Sequence, residues 1–232
     1  MHIKKIGSKA MALALVGIVI ATPVLNTTYA MENTSTTALT RAQRDDITIN
    51  TLEDSDEQRI VEVTEGDKVY LSVFNKKYNT LSYEVKSDGE IIESKSIDMS
   101  NTENTENLQI EARATESLGC IYSKLRYSIN MKSWTITNSK GSVKKKPETV
   151  SHKDYLYKFR DAVKASRRYE NAARLAMDTA QISIIMASIT SATGVGFIVS
   201  AVTAVGGSLG AAYNIWDSIV ERREADRYFA LL

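Results

Sequence analysis

Apolar and polar residues alternate through much of the first half of the chain, then recur every three to four residues in the second. Residues 59–64 (RIVEVT) have period two, and Glu65-Gly66-Asp67 supplies a turn. Residues 68–74 (KVYLSVF) alternate again, with Val69, Leu71 and Val73 on one side and Tyr70, Ser72 and Phe74 on the other. Residues 80–86 place Leu81, Tyr83 and Val85 on one face, and Ser87-Asp88-Gly89-Glu90 carries an Asp-Gly hairpin signal before the return strand through residue 97. Short period-two runs joined by tight turns predict an antiparallel meander, covered on one face and wet on the other. Residues 98–107 read as a polar loop and 108–118 are ambiguous. Residues 120–137 return to period two, and their Tyr122, Tyr127 and Trp134 are expected to be strand packing surface rather than exposed ligand-binding aromatics.

Residues 140–147 (KGSVKKKP) hold a glycine, a lysine run and a proline, which predicts a basic linker over 139–150. Ser151 with Asp154 approximates a capping box, and Val150 and Tyr155 stand where a hydrophobic staple forms. The helix that follows has an apolar face through Leu156, Phe159, Val163, Ser166, Tyr169, Ala173 and Met177, a helical period held for about six turns. Its other face carries Lys158, Lys164, Arg167, Arg168 and Arg174, and residues 144–174 contain ten bases and four acids. A stripe of this kind is either a solvated helix face or a contact surface for anionic lipid head groups.

Next come 38 residues without a charge, 179–216. Gly194 and Gly196 break the run. The pattern predicts two apolar helices of about 16–18 residues, each about 24–27 Å long, close to the thickness of bilayer hydrocarbon. Gly206 and Gly210 have the spacing of a close helix contact, and Tyr213 and Trp216 stand at the edge of the run, where interfacial aromatics occur. Such a hairpin exposed in water would aggregate or bind. The expectation is therefore conditional: buried within a helical bundle in water, offered to lipid at a target. Ile182, Ile185, Ile189, Phe197, Val199, Val202 and Val205 are the candidate inserting side chains, with Gly194 and Gly196 as the hairpin turn. Lys144, Lys145, Lys146, Lys158, Arg167, Arg168 and Arg174 are the candidate lipid-attracting charges.

Composition narrows the chemistry. The 232 residues carry a net charge of +1, but the total hides opposed halves: +3 over residues 1–30, −10 over 31–118 and +8 over 119–232. One cysteine, Cys120, excludes an intramolecular disulfide and any multi-cysteine metal site, and is expected to be a small buried apolar residue. His2 and His152 are the only histidines, and no nucleophile-elbow, Walker or dinucleotide motif is present. No catalytic residues, cofactor or metal are expected. Asp54-Ser55-Asp56-Glu57 has carboxylates spaced somewhat like a calcium loop, yet lacks the bend glycine and the closing bidentate glutamate, so a solvated acidic face is the expectation.

A basic start, a twelve-residue apolar run over 10–21 and Thr28-Tyr29-Ala30 have the layout of a secretory signal peptide, with cleavage expected between Ala30 and Met31. Residues 31–50, rich in Thr, Ser and Asn, read as a flexible leader. The predicted organisation is thus α+β: a signal peptide (1–30), a leader (31–50), a small antiparallel β-meander or sandwich module (51–138), a basic linker (139–150) and a C-terminal helical bundle (151–232) containing the apolar hairpin. Localisation is expected to be extracellular, in a Gram-positive-like setting, with membrane association open to it.

The order of parts resembles the geobacillin-type large secreted bacteriocins. The stretch that carries the resemblance runs from about Pro147 to Leu232, especially YENAARLAMDTAQISIIMASIT and VGGSLGAAYNIWDSIVERR. The resemblance implies antibacterial activity against related bacteria, and it brings no catalytic residues with it. The function expected is that of a secreted, membrane-active antibacterial protein, a pore-forming toxin in its physical design. Its partners would be bacterial membrane lipids and a target-cell receptor, with oligomers forming on the membrane and no nucleic acid. The rival readings are a non-lytic secreted or membrane-anchored surface protein and an immunity protein that shields its producer.

Overall fold

A computed structural model of the chain describes residues 46–100, 114–190 and 193–232. The signal peptide, the Ala30–Met31 cleavage site and most of the leader lie outside the described residues, as do 101–113 of the polar and ambiguous stretches.

Among the described residues, nine strands precede four helices, the α+β order that the patterning predicts. The strands form two antiparallel sheets. The first is β1 (Ile47–Asp54), β2 (Gln58–Glu65), β3 (Lys68–Asn75), β4 (Thr80–Ser87) and β5 (Glu90–Asp98), each beside the next. The second is β6 (Glu116–Gly119), β7 (Arg126–Asn130), β8 (Ser133–Thr137) and β9 (Val143–Pro147), again in sequence order. The expected turns at 65–67 and 87–90 connect β2 to β3 and β4 to β5. Gly66 and Gly89 both have positive φ there, the left-handed backbone that tight hairpins need.

Two expectations about boundaries are corrected. Strand β1 begins at Ile47, inside the segment assigned to a flexible leader. Residues 143–147, assigned to a linker, are strand β9, paired residue by residue with β8. Lys144 and Lys146 lie opposite Ile136 and Trp134 on one face of the sheet, and Lys145 lies opposite Thr135 on the other. Three consecutive lysines look like a linker, but an edge strand accommodates them by alternation, and lysine on an edge also discourages pairing with other chains.

The helices are α1 (Val150–Ala176), α2 (Thr179–Ala187), α3 (Val195–Ala204) and α4 (Leu209–Leu231). Helix α1 begins two residues earlier than the capping-box reading, with Thr149 and not Ser151 at the N-cap, and Thr149 makes no side-chain cap hydrogen bond. Val150 is wholly exposed, so the expected staple to Tyr155 does not form. The expected pair of long apolar helices is also shorter than predicted: α2 has 9 residues and α3 has 10. The second arm stops at Ala204 because the chain turns at Gly206, whose φ of +92° belongs to the left-handed region. Residues 209–216 then belong to the terminal helix α4.

Two hydrophobic cores result. Val61, Val63, Tyr70, Leu81, Tyr83 and Val85 of the first sheet pack with Ile182 and Ile185 of α2, with Phe197, Ile198, Val199 and Val202 of α3, and with Ile215 and Trp216 of α4. Tyr127, Ile129, Trp134 and Ile136 of the second sheet pack with Leu156, Phe159 and Val163 of α1 and with Ala225 and Phe229 near the end of α4. Helices α1 and α4 run antiparallel, as shown by Phe159 against Phe229 and Ser166 against Ser218, and they contribute to both cores. The charge-free segment is therefore sheltered mainly by a sheet, and not by helices of a separate bundle. A polar seam divides the cores. The Arg222 guanidinium donates to Glu170 at 2.7 Å with both side chains largely buried, and Arg222 also donates to the Tyr122 carbonyl at 3.3 Å. The second Glu170 oxygen accepts the Ile121 N–H. Beside it the Cys120 thiol donates to Ser166 Oγ at 3.3 Å. Burial, and then the nearby Glu170 charge, push that thiol up to about 12. Cys120 is thus the small buried residue expected of it.

Candidate functional site

The site of interest is the seat of α2 and α3 on the first sheet. Helix α3 (VGFIVSAVTA) has no charged residue, and nine of its ten residues are buried. The register of β3 against β2 and β4 settles which face receives it. Tyr70 stands opposite Val63 and Val85, and Ser72 opposite Val61 and Tyr83, all on the covered side. Val69, Leu71 and Val73 lie on the other face, half-buried.

Four polar ties fasten the segment to the sheet. Thr190, in the turn before α3, donates to Glu93 Oε2 on β5 at 2.6 Å. Glu93 Oε1 accepts the Tyr83 hydroxyl at 2.6 Å. At the start of α3 the Gly196 N–H donates to Glu65 Oε2 on β2 at 2.9 Å, which serves an N–H left open by the helix terminus. In the middle, the hydroxyls of Ser200 and Ser72 lie 2.8 Å apart, both fully buried. In the last turn of α3, Arg59 donates to the Thr203 carbonyl at 3.4 Å.

Gly194 and Gly196 have a second duty beyond the expected turn. A Cβ on Gly196 would lie 2.4 Å from Tyr70 Cε2, and one on Gly194 would lie 2.8 Å from Glu65 Oε2. Their missing side chains let α3 approach Tyr70. Burial, and then the Glu65 charge, push the Tyr70 phenol far above its ordinary range, so it stays neutral in this contact. Gly210, by contrast, faces open space apart from Ser208, so the Gly206/Gly210 spacing makes no close helix contact.

Of the candidate inserting residues, Ile182 and Ile185 lie on α2 and Phe197, Val199 and Val202 on α3, all fully buried in one core. Ile189 and Val205 fall just outside the helices and pack against the same core. Trp216, expected at a membrane interface, is buried there too. Among the described residues, no helix is long and apolar enough to cross a membrane.

The seven candidate lipid-attracting residues do not form one surface. Lys144 donates to the Phe229 carbonyl at 2.8 Å, Lys158 pairs with Asp154 at 2.8 Å, and Arg167 donates to the Gly119 carbonyl at 3.2 Å. Lys146 lies half-buried on the covered side of its strand. Lys145, Arg168 and Arg174 are exposed, Lys145 on β9 and the other two on α1. In the acidic loop, Asp54 is held by Arg59 and Lys76, each at 2.8 Å.

Sequence reasoning missed Glu65, Glu93, Ser72 and Tyr70. The available signal was a polar residue on the apolar side of a period-two strand, where a buried hydroxyl or carboxylate has to find a partner. Compared with protein-family models, with curated proteins and with solved structures, the chain matches none.

Proposed function

We propose that the protein is a secreted antibacterial protein of the bacteriocin type, which acts on target-cell membranes by undocking the α2–α3 segment from the first sheet and inserting it into lipid. The observation that carries this reading is an uncharged helix, almost wholly buried, fastened to its sheet by a few side-chain ties and bounded by glycines at both ends.

Energetics favour a switch that needs lipid. Burying Phe197, Ile198, Val199 and Val202 is worth roughly 1.5–3 kcal/mol each, so exposing all four to water costs on the order of 10 kcal/mol. Hydrocarbon returns most of that term, because lipid tails are as apolar as the core. What remains to be broken is the set of polar ties, about 1 kcal/mol net for the Ser72–Ser200 pair and about 1.5–3 kcal/mol for each tie that involves Glu65, Glu93 or Arg59. The segment thus stays docked in water and has a route out only where a bilayer replaces the sheet. At 1.5 Å per residue α3 measures about 15 Å, half of a ~30 Å hydrocarbon core. Insertion across the bilayer therefore requires the arms to lengthen through residues 188–194 and 205–208.

The test is dye release from vesicles of anionic phospholipid by the purified protein, beside a killing assay on a panel of Gram-positive bacteria. Release that falls as salt rises, with killing of some strains, is the expected result. No release at any lipid composition contradicts the reading. The non-lytic surface-protein reading predicts the protein in the producer's membrane fraction and intact vesicles.

A further inference from the structure

Among the described residues, one face of the second sheet takes no part in the hydrophobic core, and its chemistry differs from the rest of the chain. Its cross-strand rows are set by the register: Ser117, Ser128, Thr135 and Lys145 form one, and Gly119, Arg126, Thr137 and Val143 the next. The opposite face, with Tyr127, Trp134 and Ile136, is covered by α1 and α4. The loops bounding the sheet add Lys124 and Lys140 at one end and Lys132 at the other. The Lys124 side chain lies against Gly141 of the β8–β9 turn, which brings it beside Lys140. Lys124, Lys132, Lys140 and Lys145 are exposed.

Among the described residues, the acidic side chains near this sheet are turned away from this face. Residues 114–149 contain seven bases and two acids, Glu116 and Glu148. Glu116 is on the covered side, accepting from the Tyr127 hydroxyl at 2.7 Å and pairing with Lys164 at 2.7 Å. Glu148 accepts from the Trp134 indole at 3.1 Å. Asp226, which reaches the β8–β9 turn from α4, is occupied by the Ser139 backbone N–H and hydroxyl. The first sheet has the opposite balance, with thirteen acids and six bases over residues 46–100.

Apolar side chains share the same face and rim. Val143, on the face itself, is 54% exposed, Met131 at the β7–β8 turn is 86% exposed, and Val150 is 99% exposed. The Glu148 N–H donates to the Lys132 carbonyl at 2.7 Å, so the chain leading to Val150 lies beside the Met131–Lys132 turn.

We propose that the face of the β6–β9 sheet turned away from α1 and α4 is a docking surface for an anionic phospholipid bilayer. Charge complementarity selects an anionic partner. The exposed Met131, Val143 and Val150 select a bilayer over a dissolved polyanion, because they gain from the acyl boundary only when the cations meet head groups. This surface deepens the membrane-active reading and takes its purpose from it. The face delivers the protein to lipid, and release of α2–α3 is a separate step.

The experiment measures co-sedimentation of the purified protein with phosphatidylglycerol–phosphatidylcholine vesicles and with phosphatidylcholine alone. Lys132→Gln, Lys140→Gln and Lys145→Gln are combined in one variant, and Lys158→Gln, Arg168→Gln and Arg174→Gln in another. All six side chains are exposed, so thermal melting should match the parent in both. With each cation near the surface contributing about fivefold to partitioning, the sheet variant should bind anionic vesicles on the order of 100-fold more weakly. The helix variant should bind like the parent. Met131→Ser with Val143→Ser should weaken binding while leaving its salt dependence unchanged. Equal loss in both charge variants, no loss in the sheet variant, or binding to soluble polyphosphate with none to vesicles overturns the docking surface. Vesicles bound as described but never made leaky would instead overturn the insertion reading and leave the docking surface standing.

Discussion

Adding one methyl group at Gly196 probes the seat of α3 directly. The new Cβ would lie 2.4 and 2.5 Å from two ring carbons of Tyr70 and 3.0 Å from Glu65 Oε2. Carbon atoms pack at about 3.5–4.0 Å, so roughly 1 Å of separation must be created. Tyr70 cannot provide it, since the ring is 1% exposed and its strand is paired on both sides. Helix α3 must move instead, which strains or breaks the Gly196 N–H bond to Glu65. Overpacking of this kind costs about 1–3 kcal/mol, and a hydrogen bond to a charged acceptor adds about 1.5–3 kcal/mol if lost. With a urea m-value of about 2 kcal/mol/M, Gly196→Ala should lower the unfolding midpoint by about 1 M or more. Gly210→Ala is the control, because its Cβ meets only Ser208 Oγ at 3.7 Å, and helix propensity favours alanine there. The substitution at Gly196 should also make vesicle leakage begin at lower protein concentration, since the docked state is the one weakened. A Gly196→Ala protein as stable as the Gly210→Ala control would refute the close-approach argument.

Three further outcomes follow from the same structure. Glu170→Gln leaves the largely buried Arg222 without its counter-charge, and chemical unfolding should register a loss of about 3–5 kcal/mol; a loss under about 1 kcal/mol would show that the seam does not hold the two cores together. The hydrogen bonds from Arg59 and then Lys76 lower the Asp54 carboxyl to about 2. Because the folded-state value is depressed, the stabilisation is present above the ordinary carboxylate range near 4 and is lost as pH falls toward about 2. An NMR titration should show the Asp54 carboxyl changing in that window and high salt shrinking the shift, whereas a midpoint near 4 would refute the pairing. Cys120 is buried and its thiol is pushed up to about 12, so a thiol reagent at pH 8 should label the unfolded chain quickly and the folded one only at the rate of opening.

What could be read in the sequence depended on how local its cause was. The turns at Gly66 and Gly89 and the three-to-four-residue period of α1 follow from chemistry within a few residues, and their patterns named those elements, though not the cap at which α1 starts. The covered face of β3 was not legible. Tyr70, Ser72 and Phe74 compete with Val69, Leu71 and Val73 on composition, and the choice is made by α3, more than a hundred residues away. Strand β9 was hidden because lysine is a poor strand signal, and its pairing with β8 is what makes it a strand. The apolar run was legible as a sheltered, uncharged segment, but the left-handed turn at Gly206 divides its second arm. Its shelter could not be inferred either, since Ser200 reveals a role only once it meets Ser72. The helical charge stripe was legible as charge and misleading as a surface, because Asp154, Glu116 and the Gly119 carbonyl engage Lys158, Lys164 and Arg167.

The central claim is that α3 must leave the first sheet for the protein to act. The Ser72 and Ser200 hydroxyl oxygens are 2.8 Å apart, so cysteines at both positions are placed to form a disulfide that locks helix to sheet, while the buried Cys120 lies in the other core. The measurement is leakage of anionic vesicles by the Ser72→Cys/Ser200→Cys protein, oxidised and then reduced. The account predicts that the oxidised protein still binds vesicles but releases no dye, and that reductant restores release. Equal release from the locked and reduced forms would contradict it.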